Sequence, residues 1–294
     1  MCDTCGCNIT HGNESLLQPG GKLAKTESGN EAISVLQNLL HENDHTATHN
    51  REHFNSHNVL AINLMSSPGS GKTALLEATI QLLREHFADG LSMAVIEGDL
   101  ETENDAERIR RHGVTAIQIA TGSACHLDAH MIHNALHELE LEPLDIVFIE
   151  NVGNLVCPAS FDLGQHINVA LLSTPEGDDK PAKYPVMFRA AELVLLSKCD
   201  LLPVLDDFKP ERARKYLHDI ASSAPVIELS AKTGVGMASW FVWLKQQMAQ
   251  LQTRIAIGSA RAQRLDHRHY HEHTHAHAPH MSPVHGHHHH HQGG

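Results

Sequence analysis

The eight residues Ser66-Ser67-Pro68-Gly69-Ser70-Gly71-Lys72-Thr73 constrain this chain more than any other feature. An apolar run over 59–65 leads into them, and an amphipathic run over 73–87 leads out. Strand, glycine-rich loop and helix in that order are the setting of a phosphate-binding loop. Backbone N–H groups of the Gly69-Ser70-Gly71 turn and the helix N-terminus would cradle phosphates. Lys72 would neutralise β and γ oxygens, and Thr73 would offer its hydroxyl to Mg²⁺. Ser66 stands where the first glycine of G-x-x-x-x-G-K-[ST] is usual, so the backbone there must take ordinary geometry.

Behind the loop, buried-strand runs alternate with amphipathic ones. The pattern predicts strands over 59–65, 93–96, 116–119, 145–149, 167–172, 193–196 and 226–229. It predicts helices over 73–87, 104–112, 125–139, 210–220 and 236–251. Such alternation calls for an α/β fold, a mostly parallel sheet covered by helices on both faces. Ligands then sit at the C-terminal ends of the strands, where the motifs fall. Three parts follow: a tail over 1–57 with a short helix at 32–40, a folded domain over 58–255, and a polar tail over 256–294. The last has too little apolar content to bury a core, so disorder is expected there.

Two later segments point to guanine. Ser197-Lys198-Cys199-Asp200 resembles N-K-x-D, in which the aspartate accepts from guanine N1–H and N2–H₂. Adenine would leave that carboxylate unpaired. Ser230-Ala231-Lys232 resembles the loop that meets guanine O6. Lys198-Cys199-Asp200 alone also fits a solvated strand end; the second segment, in order behind it, favours GTP. Serine at 197 is shorter than the usual asparagine, so weaker nucleotide affinity with specificity kept is expected. For Mg²⁺ and hydrolysis, Asp99 closing the second strand is the first choice and Glu150 the second, with Lys72 as the phosphate-facing cation. The Gly153 N–H is placed to meet the γ-phosphate and sense its loss. Glu101 and Asp105 read as first-turn acids favoured by the helix dipole.

Six cysteines and 27 histidines set the second theme. Cys2, Cys5 and Cys7 put three thiols within six residues, suited to Ni²⁺ or Zn²⁺, although a redox dithiol has the same spacing. Cys125, His126 and Cys157 lie after strand ends that two loops could bring together. On residues alone, a buried cysteine pair competes there with a metal site. His41, His45, His49, His53 and His57 recur every four residues and could chelate in pairs on a helix, whereas His130, His133 and His137 read as surface or packing groups. The alternating and contiguous C-terminal histidines read as a metal reservoir. A formal charge of −13 argues against nucleic acid. No apolar run approaches the roughly 20 residues of a membrane span, and the start lacks a secretory signal, so a cytoplasmic location is expected.

Taken together, these motifs resemble the HypB family of GTPases that deliver nickel to [NiFe]-hydrogenases. The resemblance is carried by 67–73, Glu97-Gly98-Asp99, Cys125-His126-Leu127-Asp128-Ala129, the run from Glu150 to Pro158, and Cys199-Asp200-Leu201-Leu202-Pro203. It implies a SIMIBI-type GTPase domain that dimerises with GTP, and metal at Cys125, His126 and Cys157. It also implies a nickel site at Cys2, Cys5 and Cys7. Implied partners are a HypA-type accessory protein, a SlyD-type chaperone and the hydrogenase large-subunit precursor. Two other readings stay open. A urease-type nickel GTPase typically has Cys-Pro-His, whereas Cys157-Pro158 precedes Ala159 here. A nickel-storage protein would make the histidine tails primary.

Overall fold

Apolar runs without alternation become strands buried on both faces, as central parallel strands must. All seven residues of β1 (Leu60–Ser66) and all five of β4 (Ile146–Glu150) are buried. The computed structural model describes residues 17–18, 22–23, 32–86, 91–99, 104–122 and 124–273. It divides into two units, Met1–Leu251 and Gln252–Gly294.

Seven parallel strands form the sheet. With β1 and β4 are β2 (Met93–Asp99), β3 (Thr115–Ala120), β5 (Ile167–Ser173), β6 (Leu193–Ser197) and β7 (Val226–Glu228). Their spatial order is β3-β2-β4-β1-β5-β6-β7. The chain therefore turns outward on both sides of β1, and the loop after β1 opens at the switch point where such sheets bind ligands. The expected α/β class and strand set are observed. A separate short antiparallel pair joins Leu17–Gln18 to Lys22–Leu23.

One sheet face carries α1 (Ala32–Ser56) and α4 (Ala129–Leu136), burying Phe54, Ile96, Leu127, Ile132 and Ile149. Trp240, on α8 (Met237–His273), lies fully buried against Phe148 of β4 with ring centroids 6.4 Å apart. Its Nε1 donates to Thr79 of α2 (Lys72–His86) at 2.9 Å. Outer helices α3 (Asn104–Arg111), α5 (Lys180–Lys183), α6 (Pro185–Ala190) and α7 (Pro210–Asp219) complete the layers. Among the described residues no helix is long and apolar enough to cross a membrane.

Three boundaries differ from the sequence reading. The first helix runs to Ser56 rather than ending near 40, and its second half is built into the fold. Ala47, Asn50 and Phe54 are fully buried. Gly164 permits the approach: its φ is +90°, and a Cβ there would lie 2.6 Å from Ala47 O. A boundary at 57/58 therefore cuts between packed parts. Second, α4 starts at Ala129, not 125, because Asp128 takes the cap in extended geometry and accepts from Met131 N–H at 2.8 Å. Cys125 and His126 thus sit in the loop before the helix. Third, α8 runs to His273 rather than 251; its extra length holds Gly258 as its single glycine and no proline.

Candidate nucleotide and metal site

The glycines of the loop after β1 do what their backbone freedom allows: Gly69 and Gly71 take φ of +72° and +98°. Ser66 needs no such freedom, being the last residue of β1. Its Oγ donates to Ser67 O at 2.7 Å and accepts from Lys72 Nζ at 3.1 Å. Lys72 is buried, and desolvation holds its ammonium below the usual value against the opposing pull of Glu150.

Acids gather beneath that lysine. The Thr73 hydroxyl donates to Glu150 Oε1 at 2.9 Å, and Glu97 pairs in register with Glu150 across β2 and β4. Both carboxylates are buried, and each leaves one oxygen, Oε2, without a hydrogen-bond partner. Burial first, then the charges of Glu150, Asp105 and Asp99, push the Glu97 carboxyl up to about 8. Burial pushes Glu150 up to about 7, offset by Lys72 and by the Thr73 hydroxyl. Two orphaned carboxylate oxygens beside a threonine hydroxyl are a donor set for a small hard cation, and they fit Mg²⁺. Asp99, the first choice by sequence, closes β2 within electrostatic reach of Glu97, and its backbone carbonyl accepts from Thr121. Asp105 lies in the first turn of α3 as expected; Glu101 is outside the described residues.

The Glu97-Gly98-Asp99 motif gives Glu97 no role of its own by sequence, and nothing there marks Glu176 as a site residue. Glu176 accepts from the Ser70 hydroxyl of the phosphate loop and forms a capping box with Ser173. The Ser173-x-x-Glu176 spacing was the signal available.

The base-side segments come together at the ends of β6 and β7. Cys199 N donates to Leu229 O at 3.1 Å, bringing the Ser197–Asp200 and Ser230–Lys232 segments side by side. Lys198 takes left-handed backbone, φ +58°, and its Nζ donates to Gly69 O at 2.6 Å. Ser197, though shorter than asparagine, reaches across with its hydroxyl to Ser70 O at 2.7 Å. Ser230 is buried and turns the next segment, its Oγ accepting from Thr233 N. Asp200 and Ala231 are half-buried, and Lys232 is exposed.

From Glu150 the chain runs directly to the thiols. A Cβ on Gly153 would lie 2.8 Å from Pro68 Cα, so only glycine fits this approach to the phosphate loop. Four residues on, Cys157 opens a short 3-10 turn, Cys157–Ser160. Cys125 Sγ lies 2.9 Å from Cys157 Sγ and 3.6 Å from His126 Nδ1. The ligand atoms of Cys125, His126 and Cys157 lie within 4.8 Å of one another. Burial, then the neighbouring Cys125 sulfur, push the Cys157 thiol up to about 12. Burial, against the pull of Asp128, holds the His126 imidazole below its usual value, which favours the neutral ring. It stacks on Phe161 with centroids 3.9 Å apart. A neutral imidazole and two adjoining thiols suit a borderline metal ion that displaces the thiol protons. Cys2, Cys5 and Cys7 lie outside the described residues.

Comparison with known proteins places the chain in a family. The nucleotide-binding domain described as CobW/HypB/UreG matches residues 60–228. The hydrogenase maturation factor HypB of Azotobacter chroococcum mcd 1 is 49% identical over 240 residues, 81% of this chain and 77% of that one. That of Escherichia coli (strain K12) is 47% identical over 237 residues, 81% and 78% of the two chains. The crystal structure of HypB from Helicobacter pylori in complex with nickel superposes with a TM-score of 0.67 at 41% identity, covering 71% of this chain and 96% of that one. HypB from Archaeoglobus fulgidus gives 0.65 at 38% identity, covering 71% and 100%.

Proposed function

This chain belongs to the HypB family of hydrogenase maturation factors, and we propose that it is a GTPase that carries Ni²⁺ to the large-subunit precursor of a [NiFe]-hydrogenase. One observation carries the proposal. A single stretch of chain places Glu150 on Thr73, Gly153 against Pro68 and Cys157 beside Cys125. This segment of eight residues gives nucleotide state a direct route to metal affinity, and linkage makes that coupling reciprocal.

In this reading Lys72 and the backbone of Gly69, Ser70 and Gly71 hold the phosphates. Asp200 and the Ser230–Lys232 turn select guanine. Mg²⁺, held by Thr73 with Glu150, Glu97 or Asp99, would neutralise charge on the transferring phosphate. Gly153 follows the γ-phosphate through its N–H, and its movement on hydrolysis is passed along Asn154, whose Oδ1 accepts from Val156 N at 2.8 Å, to Cys157. Cys125, His126 and Cys157 bind the nickel cargo or, in its place, Zn²⁺. The thiols Cys2, Cys5 and Cys7 form a separate nickel site on the N-terminal segment, and the histidine-rich C-terminal segment buffers supply. GTP-dependent pairing of two copies, a HypA-type partner and a SlyD-type chaperone complete the delivery route.

The test is restoration of hydrogenase activity in a bacterium lacking its own factor. Wild-type chain restores activity at limiting nickel, and Cys125→Ala and Lys72→Ala do not. Full restoration by both variants would remove the proposal's support.

A further inference from the structure

Eight histidines lie on α1, its C-terminal turn, α4 and the C-cap of α4. Within this group His133 Nε2 and His137 Nε2 are 3.2 Å apart, with ring centroids at 4.7 Å. Two imidazole nitrogens on one ion at about 2.0–2.1 Å each stand about 3 Å apart, so the pair already has chelating separation.

The tautomer of His133 is fixed from behind. Asn50 is fully buried, and its Nδ2 donates to Ala129 O at 2.8 Å and Leu163 O at 3.1 Å. Those two carbonyls leave Asn50 Oδ1 as the atom facing His133 Nδ1, at 3.2 Å. An amide oxygen only accepts, so Nδ1 carries the proton and Nε2 presents its lone pair. Metal-binding imidazoles are oriented in this way, by a hydrogen bond on the other nitrogen. His137 is the C-cap of α4, where the helix dipole favours a cation.

Helix α1 faces the pair. His130 Nε2 lies 3.4 Å from Thr46 Oγ1 of α1, which fixes the two helix faces side by side.

We propose that His133 and His137, on α4 where it packs beside α1, form the chelating pair of a second divalent-metal site. An all-imidazole set takes Ni²⁺ or Zn²⁺ and excludes Mg²⁺. It is separate from the Cys125, His126 and Cys157 cluster and needs no nucleotide.

The experiment is histidine carbethoxylation of the full chain, mapped residue by residue by mass spectrometry, with Zn²⁺ activity set by a metal buffer. Residue-level mapping separates this site from the histidine-rich C-terminal segment. Wild type is expected to show His133 and His137 protected together at one Zn²⁺ activity. His137→Ala, at an exposed position, is expected to raise the activity for half-protection of His133 at least about tenfold. Equal modification of His133 with and without Zn²⁺, or unchanged protection in His137→Ala, overturns the proposal.

Discussion

Replacing Glu150 by glutamine removes a buried acid whose protonation the fold has displaced. Burial, against the pull of Lys72 and Thr73, leaves the carboxyl at about 7 rather than 4.5. An acid raised in the folded state costs nothing below its unfolded value and the full penalty above its folded one. Nucleotide-free protein therefore loses stability as pH climbs through this window. The displacement is worth about 3 kcal/mol at full ionisation, of which about 2.5 kcal/mol falls between about pH 5 and pH 8. Glutamine keeps an oxygen for the Thr73 hydroxyl, but sets an amide where Glu150 Oε2 now has no partner. That costs roughly 1–3 kcal/mol at every pH, so it shifts the profile without changing its slope. Glu97 acts in the same direction, because the Glu150 charge is among the causes of its own elevation. Urea unfolding of both proteins from about pH 5 to pH 8, without Mg²⁺ or nucleotide, gives the comparison. The stability difference should move by about 2.5 kcal/mol in favour of Glu150→Gln at the alkaline end. Parallel profiles would refute the reasoning.

Other substitutions bear on separate parts of the account. Gly153→Ala drives a Cβ to 2.8 Å from the Pro68 backbone and should abolish binding of a fluorescent GTP analogue while the sheet still folds. Asp200→Asn should lower GTP affinity by about a hundredfold or more and raise preference for xanthosine triphosphate, read by competition binding. Trp240→Ala empties a fully buried position between Phe148 and Trp243 and should cost about 3–5 kcal/mol, seen as a lower denaturation midpoint.

The phosphate loop and the strands were legible because their signals are local: glycines before Lys-Thr, and apolar runs without alternation. The thiol cluster was legible only as a possibility, since Cys125 and Cys157 are 32 residues apart and only the sheet brings their loops together. The length of α1 was hidden because its packing rests on Asn43 and Asn50, which look like surface residues. Asn43 donates to Asp162 O at 2.8 Å and accepts from Ala129 N at 2.9 Å, bonds that exist only once the fold has formed. The role of Glu97, within the Glu97-Gly98-Asp99 motif, was hidden for a related reason. An acid inside an apolar strand reads as a strand end until its register with Glu150 is known. A helix over 125–139 would place Asp128 in its interior, yet its short carboxylate is worth more capping α4 than lying within it.

Nucleotide control of the internal metal site is the central claim. Thiolate-to-nickel charge-transfer absorption reports it directly, because histidine nitrogens give no such band. The protein is the full chain with Cys2, Cys5 and Cys7 replaced by alanine, titrated with Ni²⁺ in GDP and in a non-hydrolysable GTP analogue with Mg²⁺. The account predicts a band whose nickel affinity differs clearly between the two nucleotides and which disappears in Cys157→Ala. Equal affinities in both nucleotides would contradict it.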